Sequence, residues 1–300
     1  MRYANVVIGN FVARPNRFIA HVMLDGEEVV CHVKNTGRCR ELLAPGAKVV
    51  LAVSDNPARK TKYDLVAVWK GDVLINMDSQ APNAAFGEWA RQNGFPEGLT
   101  LLRAETKYGN SRFDFYYEAA MGDAAIPQAS RPAPFAQGSP GSEMRYDGGN
   151  GEDGCKLLFD ADKGDEATAI PQASRPAPFT QGSLGSEEHY NSRNGAGFIE
   201  VKGVTLENDG VVRFPDAPTE RGAKHVRELI KCREDGYGAH IAFVVQMRGM
   251  KYFAPNAETD PDFAAALKEA RAAGVEIIAL ECVVTQDSME ITGFLPVRLD

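Results

Sequence analysis

Up to about residue 76 the chain alternates short apolar runs with turn signals. The runs cover 3–12, 18–24, 27–33, 48–53, 65–69 and 73–75, each of strand length. Pro15-Asn16, Asp25-Gly26, Pro45-Gly46 and Lys70-Gly71-Asp72 separate them. Short strands at this spacing predict a small barrel of the OB type. The rhythm then changes. APNAAFGEWARQNG at 81–94 has Pro82 near its start, Phe86, Trp89 and Ala90 on one face and Gly94 at its end, which predicts a helix. Apolar, β-rich stretches follow at 100–106, 113–117 and 198–206. A helix is predicted over 219–235, a buried strand over 240–247 (HIAFVVQM), a helix over 260–273 and a buried strand over 275–284. The order α-β-β-β-α-β-α-β predicts an α/β domain with a mixed sheet. The expected organisation is a barrel over residues 1–80 and an α/β domain over 81–300.

One stretch follows neither rhythm. IPQASRPAPF occurs at 126–135 and again at 170–179, inside a segment, 121–197, rich in Gly, Pro, Ser and Asp. Each copy holds three prolines, which fix φ and remove backbone donors, so neither helix nor sheet interior suits them. Two copies are too few for a solenoid. The segment is expected to be a mobile, duplicated, low-complexity insertion.

Composition narrows the class. With 44% hydrophobic and 25% charged residues the chain reads as a soluble globular protein. No apolar run approaches the ~18 residues a membrane helix needs, so no membrane partner is expected. The start, MRYANVVIGNF, lacks the layout of a signal peptide. The five cysteines are scattered, none in C-x-x-C, which argues against a disulfide framework or structural zinc and suits the cytoplasm. The net charge of −8 is uneven. Residues 121–197 hold 11 acidic and 6 basic residues, leaving −3 for the remainder, and residues 1–80 carry +3. A mildly basic amino-terminal part permits a nucleic-acid partner.

The flanks of the insertion carry the candidate chemistry. Before it stands Ser111-Arg112-Phe113-Asp114-Phe115, after it Phe198-Ile199-Glu200-Val201-Lys202. Read across the insertion, these become neighbouring strands. Alternation places Glu200 and Lys202 on one face, and Asp114 opposite to its two phenylalanine neighbours. Two carboxylates brought together repel unless a cation sits between them. Mg2+, with Mn2+ as a substitute, suits such a sparse oxygen site. Asp114 and Glu200 are the candidate metal ligands, and Lys202 the group to polarise a phosphate or help deprotonate a bound water. The arrangement resembles the PD-(D/E)xK nuclease superfamily, in which an Asp strand precedes an E-x-K strand. A second E-x-K, Glu105-Thr106-Lys107, precedes the aspartate, and Pro215-Asp216 follows Lys202 at a helix entry; both are expected decoys.

Further stretches carry a more specific resemblance. RPNRF (14–18), NTGR (35–38), ELLAPG (41–46), RKTKY (59–63), YGNSRFDF (108–115), EVKGVTL (200–206), FPDAPTERGAKHVREL (214–229), FVVQ (243–246) and DPDF (260–263) together resemble the sugar fermentation stimulation protein A family. The resemblance spans nearly everything outside 121–197. It implies an OB-fold domain followed by a PD-(D/E)xK-like domain, DNA binding without strong sequence preference, and a regulatory link to sugar (maltose) metabolism.

Candidate phosphate contacts are Arg17, Arg38, Arg59, Lys60, Lys62, Arg112, Arg221 and Lys224. Arg59, Lys60 and Lys62 precede a strand beside Tyr63, as in barrels that bind single strands. Arg38 follows a turn glycine, and Arg221 and Lys224 lie near a helix start. Phe18, in a polar-aromatic patch with Asn16 and Arg17, is expected in the core rather than as a stacking platform, and His225 on a helix surface with i, i+4 partners rather than as a proton shuttle. Gln246 closes a buried strand, either as a satisfied core amide or within reach of the site. Three functions follow: a DNA-binding regulator, a Mg2+-dependent endonuclease using Asp114, Glu200 and Lys202, and an oligosaccharide-binding regulator, since OB folds also take sugars.

Overall fold

A computed structural model describes residues 1–35, 37, 39–109, 111–120 and 195–300. Arg38 and both copies of the doubled decapeptide lie outside the described residues. The chain opens with β1 (Val6–Asn16), β2 (Ile19–Leu24), β3 (Glu27–Val33), β4 (Lys48–Val53), β5 (Tyr63–Lys70) and β6 (Val73–Asn76). They pair in the order β3-β2-β1-β4-β5-β6, and β3 also pairs with β5 in parallel, so the first five strands close into a barrel. Alternation explains the inside: Ala20, Val22, Cys31 and Val33 are fully buried while their strand neighbours are more exposed. Register shifts along β1 bend it around the closure. Gly9 permits the curl, because a Cβ there would strike Met23 O at 2.8 Å.

The second part runs α1 (Ala81–Asn93), β7 (Leu99–Tyr108), β8 (Ser111–Ala119), β9 (Ala196–Val204), β10 (Leu206–Asn208), β11 (Val211–Phe214), α2 (Glu220–Glu234), β12 (Gly238–Val245), β13 (Tyr252–Pro255), α3 (Pro261–Ala272), β14 (Glu276–Val284) and β15 (Met289–Leu295). A mixed six-stranded sheet has the order β15-β14-β12-β9-β8-β7, with β9, β12 and β14 parallel. Phe86, Trp89 and Ala90 of α1 pack on one face, against Phe115, Ile199, Val201, Val244 and Leu280. On the other face α2 buries Val226 and Leu229, and Phe263 of α3 meets Phe243 of β12. Asp260 caps α3 through Phe263 N and also accepts from Thr219 N, the residue that caps α2, so one buried carboxylate fixes both helix starts. No helix among the described residues is long and apolar enough to cross a membrane.

The OB barrel and the mixed-sheet α/β domain are as expected. Three features differ. β15, an edge strand of the mixed sheet, lies beyond the last expected element, the strand over 275–284. The small sheet β10-β11-β13 was not foreseen, since strands of three or four residues carry too little period to be read. β9 begins at Ala196, so the last two residues of the expected insertion are strand. Gly197 reads as a loop residue, yet its missing Cβ is what admits the Tyr117 ring at 2.5 Å.

The barrel is tied to the sheet by polar groups around Asp78. Lys34 pairs with Asp78 at 2.7 Å, Tyr3 donates to it, and Asn76 donates to Tyr3. Gln246, at the end of β12, donates to Asn76 Oδ1 and to Asp78 O. Gln246 is therefore a satisfied amide that fastens the barrel and does not reach the carboxylates.

Candidate metal and phosphate site

Asp114 lies where β8 and β9 part. Their ladder ends at Phe115↔Ile199, and one step further Val201 N donates to Asp114 Oδ2 at 2.8 Å instead of to a backbone carbonyl. A strand N–H points along the sheet, so this carboxylate lies in the gap between the strands. Its other oxygen accepts from Asn83 on the first turn of α1, at 2.8 Å. The expected alternation fails here. Phe115 packs on Phe86 of α1, whereas Phe113 packs on Phe198 and His225, on the opposite side of the sheet. The twist is matched on β7, where Glu105 adopts φ 53. Asp114 is therefore not opposed to two phenylalanines on a common face.

Glu200 faces α2, buried to 3% side-chain exposure. Its Oε1 accepts from Lys202 Nζ at 2.5 Å and from His225 Nδ1 at 2.5 Å. Arg221 donates to His225 Nε2 at 3.4 Å. A guanidinium can only donate, so Nε2 accepts and the imidazole proton sits on Nδ1, aimed at Glu200. Glu200 Oε2 is buried with no hydrogen-bond partner. Burial pushes both carboxyls up. At Glu200 the His225 hydrogen bond and the Lys202 ammonium outweigh it and hold the pKa below the usual range. At Asp114 the charge of Glu200 adds to burial and outweighs Lys202, Val201 N–H and Asn83, so its pKa is raised. The two carboxylates therefore feel one another across the strand gap.

As a donor set this is sparse. No cluster of three or more His, Cys, Asp or Glu side chains suited to a metal occurs among the described residues. One buried carboxylate oxygen without a partner, beside a second carboxylate whose proton affinity is raised by the first, fits a hard cation that keeps most of its waters. It does not fit a structural zinc site.

Direct contacts join Glu200, Lys202 and, through His225, Arg221; Asp114 bonds Asn83 and Val201 N and is linked to Glu200 and Lys202 through charge alone. Lys224, one turn along α2, is exposed and reaches Glu228 at 3.8 Å. Arg112 is exposed on β8 and pairs with Glu105 at 3.4 Å, which also accounts for the Glu105 decoy. The barrel residues stand apart. Arg59 is not a free cation: it grips Asp64 with both guanidinium nitrogens, at 2.7 and 2.6 Å. Arg17, Lys60 and Lys62 are exposed, with Arg17 5.9 Å from the Phe18 ring and Lys62 5.5 Å from the Tyr63 ring. Phe18 is 51% exposed rather than core. His225 is buried rather than on the helix surface; its i, i+3, i+4 spacing with Gly222, Val226 and Leu229 was the available signal. Asn83 was missed, because nothing local marks a first-turn asparagine as a carboxylate's partner.

Family models match in two places: "SfsA N-terminal OB domain" over residues 12–77 and "Sugar fermentation stimulation protein RE domain" over 186–288. Among similar curated proteins, a sugar fermentation stimulation protein homolog of Clostridium beijerinckii is 41% identical, covering 100% of both chains. One from Desulfitobacterium hafniense is 42% identical, covering 100% of this chain and 99% of the other. A solved structure described as Pyrococcus furiosus SfsA in complex with Ca2+ superposes with a TM-score of 0.69 at 23% identity, over 99% of this chain and 98% of that one. At that identity the likeness speaks to fold.

Proposed function

Given that the chain belongs to the sugar fermentation stimulation protein family, we propose that it binds DNA mainly through phosphates and holds a divalent cation between Asp114 and Glu200. The observation that carries the cation is Glu200 Oε2, a buried acceptor without a partner beside a second carboxylate. The description of the Pyrococcus furiosus neighbour as a Ca2+ complex supports it. Mg2+ is the cation proposed, with Mn2+ as its substitute. DNA affinity is assigned to the barrel cations Arg17, Lys60 and Lys62, and to Arg221 and Lys224 at the start of α2, where the helix end favours anions. The barrel fold supports this reading, since OB folds commonly take oligonucleotides. A part in regulating sugar use is proposed on the family's name.

Lys202 favours a second reading, metal-dependent DNA cleavage. A bound divalent cation would supply Lewis acidity and a water of lowered pKa. Asp114 and Glu200 would orient the groups around it, Lys202 would place positive charge on the phosphate where negative charge builds up, and His225 would hold Glu200 in register. The test is DNA binding by anisotropy beside plasmid cleavage in Mg2+ or Mn2+, for the wild type and an Asp114→Ala/Glu200→Ala double variant. Binding that falls steeply with salt supports the first reading. Metal-dependent cutting lost in the variant supports the second. No affinity at low salt contradicts both.

A further inference from the structure

The outer wall of the barrel bears on which form of DNA is bound. β2, β3 and β5 lie side by side, with Ile19 in register with His32 and His32 with Asp64. The β1–β2 turn closes one end of this wall, and the loop over 54–62 leads into its third strand. In OB barrels the β2–β3 face between these two loops takes oligonucleotides.

Phe18 stands on the β1–β2 turn with half its surface in solvent. Its backbone is fixed on both sides. Asn16 Oδ1 accepts from Phe18 N and Ile19 N, at 2.9 and 3.0 Å, and Phe18 O accepts from Val33 N at 2.8 Å. Arg14 braces the turn from behind, donating to the carbonyls of Arg17, Asn35 and Gly37. The exposed ring thus sits on a fixed base with the Arg17 guanidinium over one face, 5.9 Å from its centroid, and the other face left for a base.

Charge on the wall is sorted. Asp64 is taken by Arg59 and His32, and Glu28 by His21 at 2.6 Å. Among the described residues no carboxylate pairs with Arg17, Lys60 or Lys62, the cations of the two loops. An aromatic face flanked by free cations matches unpaired bases joined by phosphates. In a duplex the base faces are stacked on each other, and such a platform has nothing to hold.

Resting on the DNA-binding reading above, we propose that the barrel selects single-stranded DNA, with a base stacked on Phe18 and phosphates on Arg17, Lys60 and Lys62. The test uses the full chain, anisotropy, a labelled oligothymidylate of about 16 nucleotides and a duplex of equal length. The wild type is expected to bind the single strand more tightly. Phe18→Ala is expected to weaken single-strand binding about ten- to hundred-fold and to leave duplex binding unchanged. Phe18→Trp keeps a π face and is expected to retain the affinity, its indole emission quenched by oligothymidylate and not by duplex. Duplex binding with an unaffected Phe18→Ala would overturn the platform while leaving the DNA reading standing. Equal loss on both substrates would also overturn it, and a wild type that binds neither would end both.

Discussion

Asp64 on the barrel and Glu200 on the sheet are each flanked by a histidine and a basic side chain. At Asp64 the guanidinium of Arg59 spans both oxygens, and His32 adds a contact at 3.1 Å. At Glu200 the ammonium of Lys202 and the imidazole of His225 converge on Oε1 and leave Oε2 buried alone. In both, burial opposes ionisation and the partners overcome it, so both pKa values are lowered. What differs is closure. A planar fork satisfies a carboxylate completely, whereas a point charge satisfies one oxygen. A buried acceptor left unpaired is costly, and here it stands next to Asp114, whose own ionisation Glu200 opposes. The barrel group is an ion pair that holds a loop. The sheet group is a carboxylate with one oxygen left for another charge.

The largest expected effect comes from opening the sheet group. Glu200→Gln strands Lys202 and is predicted to cost about 3 kcal/mol in chemical unfolding. Arg59→Ala is predicted to cost about 2 kcal/mol, because Asp64 keeps only His32, while changing DNA affinity little. Lys60→Ala with Lys62→Ala should do the reverse: unchanged stability, weaker DNA binding, and a salt dependence shallower by about 1.5 in the log–log slope. A large loss of DNA affinity in Arg59→Ala would break the contrast.

Asp114→Asn gives the smallest effect and the opposite sign. Its one oxygen still accepts from Val201 N–H, Asn83 turns its own oxygen toward the new amide, and the repulsion with Glu200 is removed, so unfolding should show about 1 kcal/mol of added stability. The pH dependence follows. Asp114 has a folded pKa above its unfolded value, so lowering pH through that window adds protons to the folded state first and raises stability. Glu200 has a depressed folded pKa, and its contribution, present above the unfolded value, is lost as pH falls below the usual carboxylate range. Melting curves across acid pH should show the early rise in the wild type and not in Asp114→Asn.

Much of this was legible in the chain. Helices announced themselves by period, and their expected bounds, such as 219–235 for α2 at Glu220–Glu234, differ by a residue or two, whereas β1, expected over 3–12, runs Val6–Asn16 and β15 was not expected. Reading across residues 121–197 brought Asp114 near Glu200 because the strands on either side of the interruption pair as neighbours. Three-dimensional pairing was not legible. Arg59 and Asp64 are five residues apart across a loop-to-strand joint, where no period links them. Between core and platform the sequence favours core for Phe18; the outward ring depends on the turn that Asn16 Oδ1 caps, a contact that no period reports. The change of face between Phe113 and Phe115 coincides with the positive φ of Glu105 on β7, a partner strand that alternation in β8 cannot report.

The difference between the two carboxylate groups is tested most directly by isothermal titration of Mg2+, and then Ca2+, into the full chain. Wild type and Arg59→Ala are predicted to bind the cation alike, while Glu200→Gln and Asp114→Asn lose the heat of binding. Binding that survives in Glu200→Gln, or that disappears in Arg59→Ala, would contradict a cation site at Asp114 and Glu200.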